Sequence, residues 1–500
     1  MSFDDFTQLS DDDALAAFGK LIDSSFDAGD LSTLRDAQSI AKVIATRELR
    51  PDLAALLCYF EGNLWASIRV LKRESDLWKW DQPETREEII AFRRAITHPG
   101  YARLQPTSRC QIATNLGNLL STVGRFVEAL AYYDRALAEN PSFGMALGNK
   151  GQCLLGYARA LYDSGHRPIF AGSAEPLLRR ACGLPLEPGA REAFSRLRET
   201  AETAAAGHTE EHLKYLRDFP IGDAQEKAYR SWALQERLFL HPVNDVGPYE
   251  IAARDVLHLP TVVLPTATGS AFHGFYNQLK QEFVAARALL FEGLTQGETC
   301  FVDRDVRLLD TLDGAQFGFA IEKAKMAFRL SYSVLDKVAV FLAHYFNLSV
   351  PLHSVNFRRI WYVDGKQKRG LRPEFDDRQN WPLRGLFWLA KDLHETDEEF
   401  HSALEPCARE IAKLRNQLEH QYAKVVPDPV DPASPNAGEM FPDPIAYRMG
   451  RKDLDGKALT MLKMARAALI YLSLAVHENE RLKPASPDRK SIPISLRLIE

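Results

Sequence analysis

Arg415-Asn416-Gln417-Leu418-Glu419-His420 sets an arginine, an amide and a histidine within six residues of a strongly helical stretch, Glu398 to Lys424. An imidazole can move a proton near neutral pH, and a guanidinium can hold a phosphate through two parallel hydrogen bonds. At about 100° per residue, Asn416 and His420 lie roughly 40° apart on one helical face, with Arg415 roughly 140° round from His420. No metal ligands stand nearby, so the chemistry such a trio suits is attack on a phosphodiester by the adjoining ribose 2′-hydroxyl, which requires RNA. Spacing alone says little. With 41 Arg and 13 His in 500 residues, chance supplies about one Arg-x4-His, and the chain holds two. The other, Arg93 to His98, runs into His-Pro-Gly at a helix end and makes a natural decoy. A rival reading pairs Arg415 with Glu419 on a solvated face, in the less favourable order for an i,i+4 pair, and leaves His420 as an ordinary satisfied histidine.

A second feature lies between Asn356 and Arg372. Arg358, Arg359, Lys366, Lys368, Arg369 and Arg372 stand against Asp364 alone, a local net of +5 in a chain whose formal charge is −5. Phe357, Trp361 and Tyr362 interleave with them. Cations that follow a backbone and aromatics that stack on unpaired bases are what single-stranded RNA needs. The competing reading is a solvated hairpin around Asp364-Gly365 whose aromatics face the core. Asp336-Lys337, inside the apolar run Val334 to Phe346, needs a partner or an exposed edge, and Asp336 is a candidate to orient His420.

The mildly acidic total argues against an arginine-rich coat for bulk duplex but leaves room for such a local basic surface. Six scattered cysteines form no C-x-x-C pair, so neither a disulfide framework nor a structural zinc is expected. No signal-like N-terminus is seen, and the most apolar stretch, Ala467 to Val476, is shorter than the ~20 residues that span a bilayer, so a cytoplasmic, non-membrane protein is expected. Gly-rich phosphate loops, G-x-S-x-G and H-E-x-x-H are missing, and no cofactor or metal is implied.

Helical periodicity dominates, so the fold class is all-α. Ser10 before three aspartates marks a helix start. Further helices are expected at Leu31 to Glu48, Pro51 to Arg73, Glu84 to Ile96, Arg191 to Ala205, Trp232 to Leu240, Phe272 to Leu294, Gln316 to Phe346, Leu383 to His394, Glu398 to Lys424 and Gly456 to Leu482. Trp361, Trp381 and Trp388 are core candidates. From Cys110, the placement of Leu116, Gly117, Leu120, Ala129, Tyr133, Ala136 and Pro141 resembles the 34-residue tetratricopeptide repeat, with Ala113 where a large aromatic is usual. Gly151 falls 34 residues after Gly117, so a second repeat begins in register, is interrupted near Ser164-Gly-His-Arg-Pro and resumes at Ala174 to Ala181. The organisation read from these signals is a helical-repeat region over 1–215, with its best repeat at 110–143, a connector over 216–268, and a helical bundle with long loop insertions over 269–500.

The bundle resembles the HEPN superfamily, in a branch that carries tetratricopeptide repeats ahead of it. The matching features are Tyr229-x2-Trp232 with Pro242-Val-Asn-Asp245, Arg329 to Lys337, Asn380 to Leu389, and Arg415-Asn-x3-His420. The resemblance implies a metal-independent endoribonuclease, with Arg415 and His420 catalytic, Asn416 supporting them, and a homodimer through the bundle that brings two motifs into one cleft. It further suggests a role in bacterial defence or stress, with a protein or peptide partner on the repeats. The alternative is a non-catalytic interaction or nucleotide-binding module on the same scaffold.

Overall fold

The computed structural model describes residues 6, 8–72, 79–205, 216–263, 270–295, 300–376, 379–394, 408–428, 443 and 445–483. Its first half is a run of packed helices: α1 (Asp11–Asp27), α2 (Leu31–Ala45), α3 (Pro51–Leu71), α4 (Pro83–Thr97), α5 (Pro106–Thr122), α6 (Phe126–Glu139), α7 (Gly144–Ala160), α8 (His166–Cys182) and α9 (Pro188–Ala205). The starts follow local chemistry. The Ser10 hydroxyl accepts the Asp13 N–H at 3.3 Å, and the three aspartates meet the positive end of the α1 dipole. Asp30 caps α2 through the Thr33 N–H at 3.0 Å, while α3, α4 and α5 each open on a proline, which has no N–H to leave unpaired. Phe18, Ile22, Leu34, Leu57 and Leu64 bury a separate core among α1 to α3.

Glycines let the next helix pairs close. A Cβ on Gly117 would stand 2.8 Å from the Tyr133 ring, and one on Gly151 would stand 2.7 Å from Leu178. Residues Ser164 to Pro168, where the second repeat is expected to be interrupted, form the turn into α8 and its first residues.

The second half holds α10 (Ala224–Gln235), α11 (Ala271–Thr295), α12 (Phe319–Tyr345), α13 (Trp381–His394), α14 (Ala408–His420) and α15 (Arg451–Arg481). The helix expected at Trp232 to Leu240 begins eight residues earlier, because the Asp223 side chain caps the Glu226 N–H at 3.0 Å. The helix expected to reach Lys424 stops at His420. Beyond it β1 (Tyr422–Val426) pairs in parallel with β2 (Ala446–Gly450), Tyr422 opposite Ala446. Burial of Val425 and Val426, with Lys424 only 3% exposed and 2.6 Å from Asp313, favours the extended form there. By length and composition α15 could cross a bilayer, yet 83% of its most apolar window is buried inside the protein, as befits a core helix.

One core joins the halves, running from Ala55 on α3 to Val476 on α15. Gly124, at φ +89°, turns the chain from α5 into α6 directly on α13: a Cβ there would lie 2.0 Å from the Trp381 carbonyl oxygen. Along α13, the Trp381 Nε1 donates to the Ser121 carbonyl at 2.7 Å and the Trp388 Nε1 to the Trp80 carbonyl at 3.0 Å. Near its end Asp392, fully buried, accepts from Arg93 at 2.7 Å and from Arg125. Arg125 also holds Glu128 at 3.0 Å, and the Tyr471 hydroxyl of α15 donates to the same carboxylate. Burial opposes the charge on Asp392, but Arg125 and Arg93 outweigh it and hold the carboxyl below its ordinary range.

Asp392→Ala removes the carboxylate on which two buried guanidiniums converge, leaving Arg125 its Glu128, and should cost about 3 kcal/mol of unfolding free energy. Urea titration measures it, and a loss below ~1 kcal/mol would contradict the reading. Because the folded pKa is depressed, this contribution is present above about pH 4 and fades as pH falls through the folded value.

Candidate functional site

Helix α14 turns Ile411 and Leu414 into the bundle, where both are buried, and leaves Arg415 half-buried and Asn416 exposed. The Arg415 Nη1 donates to the Asn416 Oδ1 at 3.2 Å, and its guanidinium carbon lies 5.5 Å from the centroid of the Tyr332 ring on α12. Among the described residues Arg415 forms no direct ion pair. His420 occupies the last position of α14, immediately before the chain enters β1. The side chains of Glu419 and His420 lie outside the described residues, so the geometry of the expected Arg415–His420 pair and of the rival Arg415–Glu419 pair lies there too.

The decoy differs in every respect. Arg93 is locked on Asp392 in the core, and the His98 Nδ1 accepts the Gly100 N–H at 3.0 Å. That copy of the spacing is structural.

Residues 357–372 form a folded-back loop closed by Val363 N–H to the Gly370 carbonyl at 3.1 Å and Arg372 N–H to the Trp361 carbonyl at 2.9 Å. Asp364 and Gly365, at φ +51° and +65°, make its tip. Phe357, Trp361 and Tyr362 are buried, so of the two readings of these aromatics the one in which they face the core holds, and they do not stack on bases. Trp361 packs instead against Phe375 at 5.2 Å and Phe387 at 5.8 Å. Among the tryptophans named as core, Trp361 and Trp388 are fully buried while Trp381 packs at the edge. Arg358, Arg359, Lys366 and Lys368 reach solvent. Arg369 is exposed and paired with Asp364, and the half-buried Arg372 donates its Nε to the Ile360 carbonyl at 2.9 Å.

The two cationic features meet on α12. Asp336 accepts the Phe357 N–H at 3.0 Å, so the residue before Arg358 is tied to α12 one turn beyond Tyr332. Burial raises the Tyr332 phenol well above its ordinary value and the Asp336 charge adds to this, while Arg415 and Arg358 both oppose it. Burial also lifts the Asp336 carboxyl, against the Phe357 N–H and Arg415. Lys337 turns the other way and pairs with Glu282 of α11 at 2.5 Å. Tyr332 lies within Arg329 to Lys337, one of the stretches that carry the family resemblance, but its type and spacing gave it no role of its own.

Other chemistry finds little support. Among the described residues no group of three or more His, Cys, Asp or Glu is placed to hold a metal ion. Burial pushes the Cys58 and Cys153 thiols up to about 12, leaving them poor nucleophiles.

Residues 264–479 match the family model described as LA2681-like HEPN, so this part of the chain is similar to that family. No curated protein and no solved structure matches the chain.

The contrast between the two arginines is testable. Arg93→Ala should lower stability by about 3 kcal/mol or more, whereas Arg415→Ala should cost less than about 1 kcal/mol. Paired thermal melts read both, and equal losses would contradict the assignment.

Proposed function

We propose that the chain is a metal-independent endoribonuclease with its site at the C-terminal end of α14. The observation that carries this reading is Arg415: half-buried, without a carboxylate in ion-pair contact among the described residues, and sharing the surroundings of Tyr332 with Arg358 of an exposed basic loop. The likeness of residues 264–479 to HEPN domains supports it. In this reading His420 moves the proton of the attacking 2′-hydroxyl or of the leaving oxygen. Arg415 stabilises the pentacoordinate phosphate, and Asn416 holds or orients it. Arg358, Arg359, Lys366, Lys368, Arg369 and Arg372 form the RNA-binding set, the first four with free access to solvent. The products are a 2′,3′-cyclic phosphate and a 5′-hydroxyl.

Self-association is part of the proposal. Phe301, Leu308, Leu309, Leu312, Phe317 and Ile445 are exposed, Leu309 by 89% and Phe301 by 80%. At ~200 Å² for each large apolar residue they offer roughly 800 Å², about what one partner contributes to a standard interface. This arm is fastened to β1, directly after the motif helix, by Gln316 N–H to the Val425 carbonyl at 2.7 Å and by Asp313 to Lys424. A second copy docked there lies close to His420, which relieves the wide angle between Arg415 and His420 on one helix. The helices before residue 215 act as a tetratricopeptide-like arm for a protein or peptide partner, in a cytoplasmic defence or stress role.

Purified protein should cleave mixed RNA in EDTA, and His420→Ala or Arg415→Ala should slow cleavage at least ~100-fold. Inert wild type at high concentration, together with no growth arrest on induction in cells, would overturn the reading. Light scattering after gel filtration should find a dimer that Leu309→Asp with Phe301→Asp converts to monomer; a monomeric wild type would contradict the docking surface.

A further inference from the structure

We infer that Tyr332 and Asp336, one turn apart on α12, are positioning residues that bring Arg415 and Arg358 together around a single phosphate. The inference rests on the RNA reading above and names how its cations are set.

A half-buried guanidinium is ordinarily paired with a carboxylate. Among the described residues Arg415 instead lies by the Tyr332 ring, with one hydrogen bond to its neighbour Asn416. Ring packing holds a guanidinium without consuming its donors, so the remaining N–H groups stay available to a planar anion. Had Asp336 closed on Arg415 as an ion pair, those donors would be spent. Asp336 takes the Phe357 N–H at 3.0 Å instead. Phe357 is wholly buried, and its carbonyl accepts the Trp361 Nε1 at 2.8 Å, so the start of the basic loop has little freedom. Arg358 is the next residue, and it acts on the same phenol as Arg415.

Charge closes the argument. Arg415 and Arg358 bring two positive charges to one turn of α12, and Asp336 returns one negative charge. The remaining +1 matches one phosphodiester. Neither Tyr332 nor Asp336 transfers a proton in this scheme; both act through the arginines.

The test uses full-length protein and an uncleavable 2′-O-methyl single-stranded oligonucleotide of mixed sequence, with Kd measured by anisotropy. Amide exchange over 356–372 is read without RNA. Asp336→Ala should raise Kd about tenfold and speed exchange at Phe357, Arg358 and Arg359. Asp336→Asn keeps an oxygen acceptor, so its exchange should stay within about twofold of wild type, and with the negative charge gone its Kd should be no higher than that of wild type. Tyr332→Leu should raise Kd about tenfold, while Tyr332→Phe, which keeps the ring, should not. Equal losses in Asp336→Ala and Asp336→Asn, unchanged exchange in Asp336→Ala, or wild-type Kd in both Asp336→Ala and Tyr332→Leu would overturn the inference while the RNA reading stands. A wild type that binds no oligonucleotide overturns the RNA reading, and this inference with it.

Discussion

The architecture depends on one carboxylate. Asp392 sits near the end of α13 with no water to screen it and two arginines from the first half of the chain converging on it. A buried charge of this kind persists only when paired and hydrogen-bonded, so the site forms when α4, the α5–α6 turn and α13 are all in place. The backbone contact of Gly124 with Trp381 leaves no room for α13 to shift alone. Helix α14 packs on α13 and α12 and so inherits its position from that junction. The motif arginine is placed, in the end, by contacts made hundreds of residues away in sequence.

Against this background the two copies of Arg-x4-His make opposite use of the same spacing. In one, the arginine is a structural cation whose charge is answered in the core. In the other, the arginine lies on an aromatic ring and, among the described residues, has no carboxylate in ion-pair contact. What distinguishes them is the presence or absence of a buried carboxylate, a tertiary property that six residues of sequence do not encode.

Much of the helical layout was legible because it is local: Ser10 and Asp30 cap as their types dictate, and prolines open α3, α4 and α5. The glycine spacing from Gly117 to Gly151 carried the close approach of two successive helix pairs. Errors arose where distant packing overrode local preference. Tyr422 to Lys424 continues a helical pattern, yet joins the strand Tyr422–Val426 because β2 and Asp313 lie alongside. The aromatics of the basic loop read either as base-stacking groups or as core, and the bundle beneath them offers Phe375 and Phe387, so burial decides between the two. The pairing of Arg93 and Arg125 with Asp392 left no signal in the sequence, because it spans up to 299 residues. Arg358 and Arg415 were both singled out, while their meeting at Tyr332 required the fold.

The central claim is that this site cleaves RNA through the ribose 2′-hydroxyl. The most direct measurement takes an RNA cut at a mapped position and replaces the nucleotide 5′ to the scissile bond with its 2′-deoxy form. The account predicts that cleavage at that bond is abolished while neighbouring sites are still cut, and that the unsubstituted products end in 2′,3′-cyclic phosphate and 5′-hydroxyl. Unchanged cleavage of the deoxy substrate, or products ending in 3′-hydroxyl and 5′-phosphate, would contradict it.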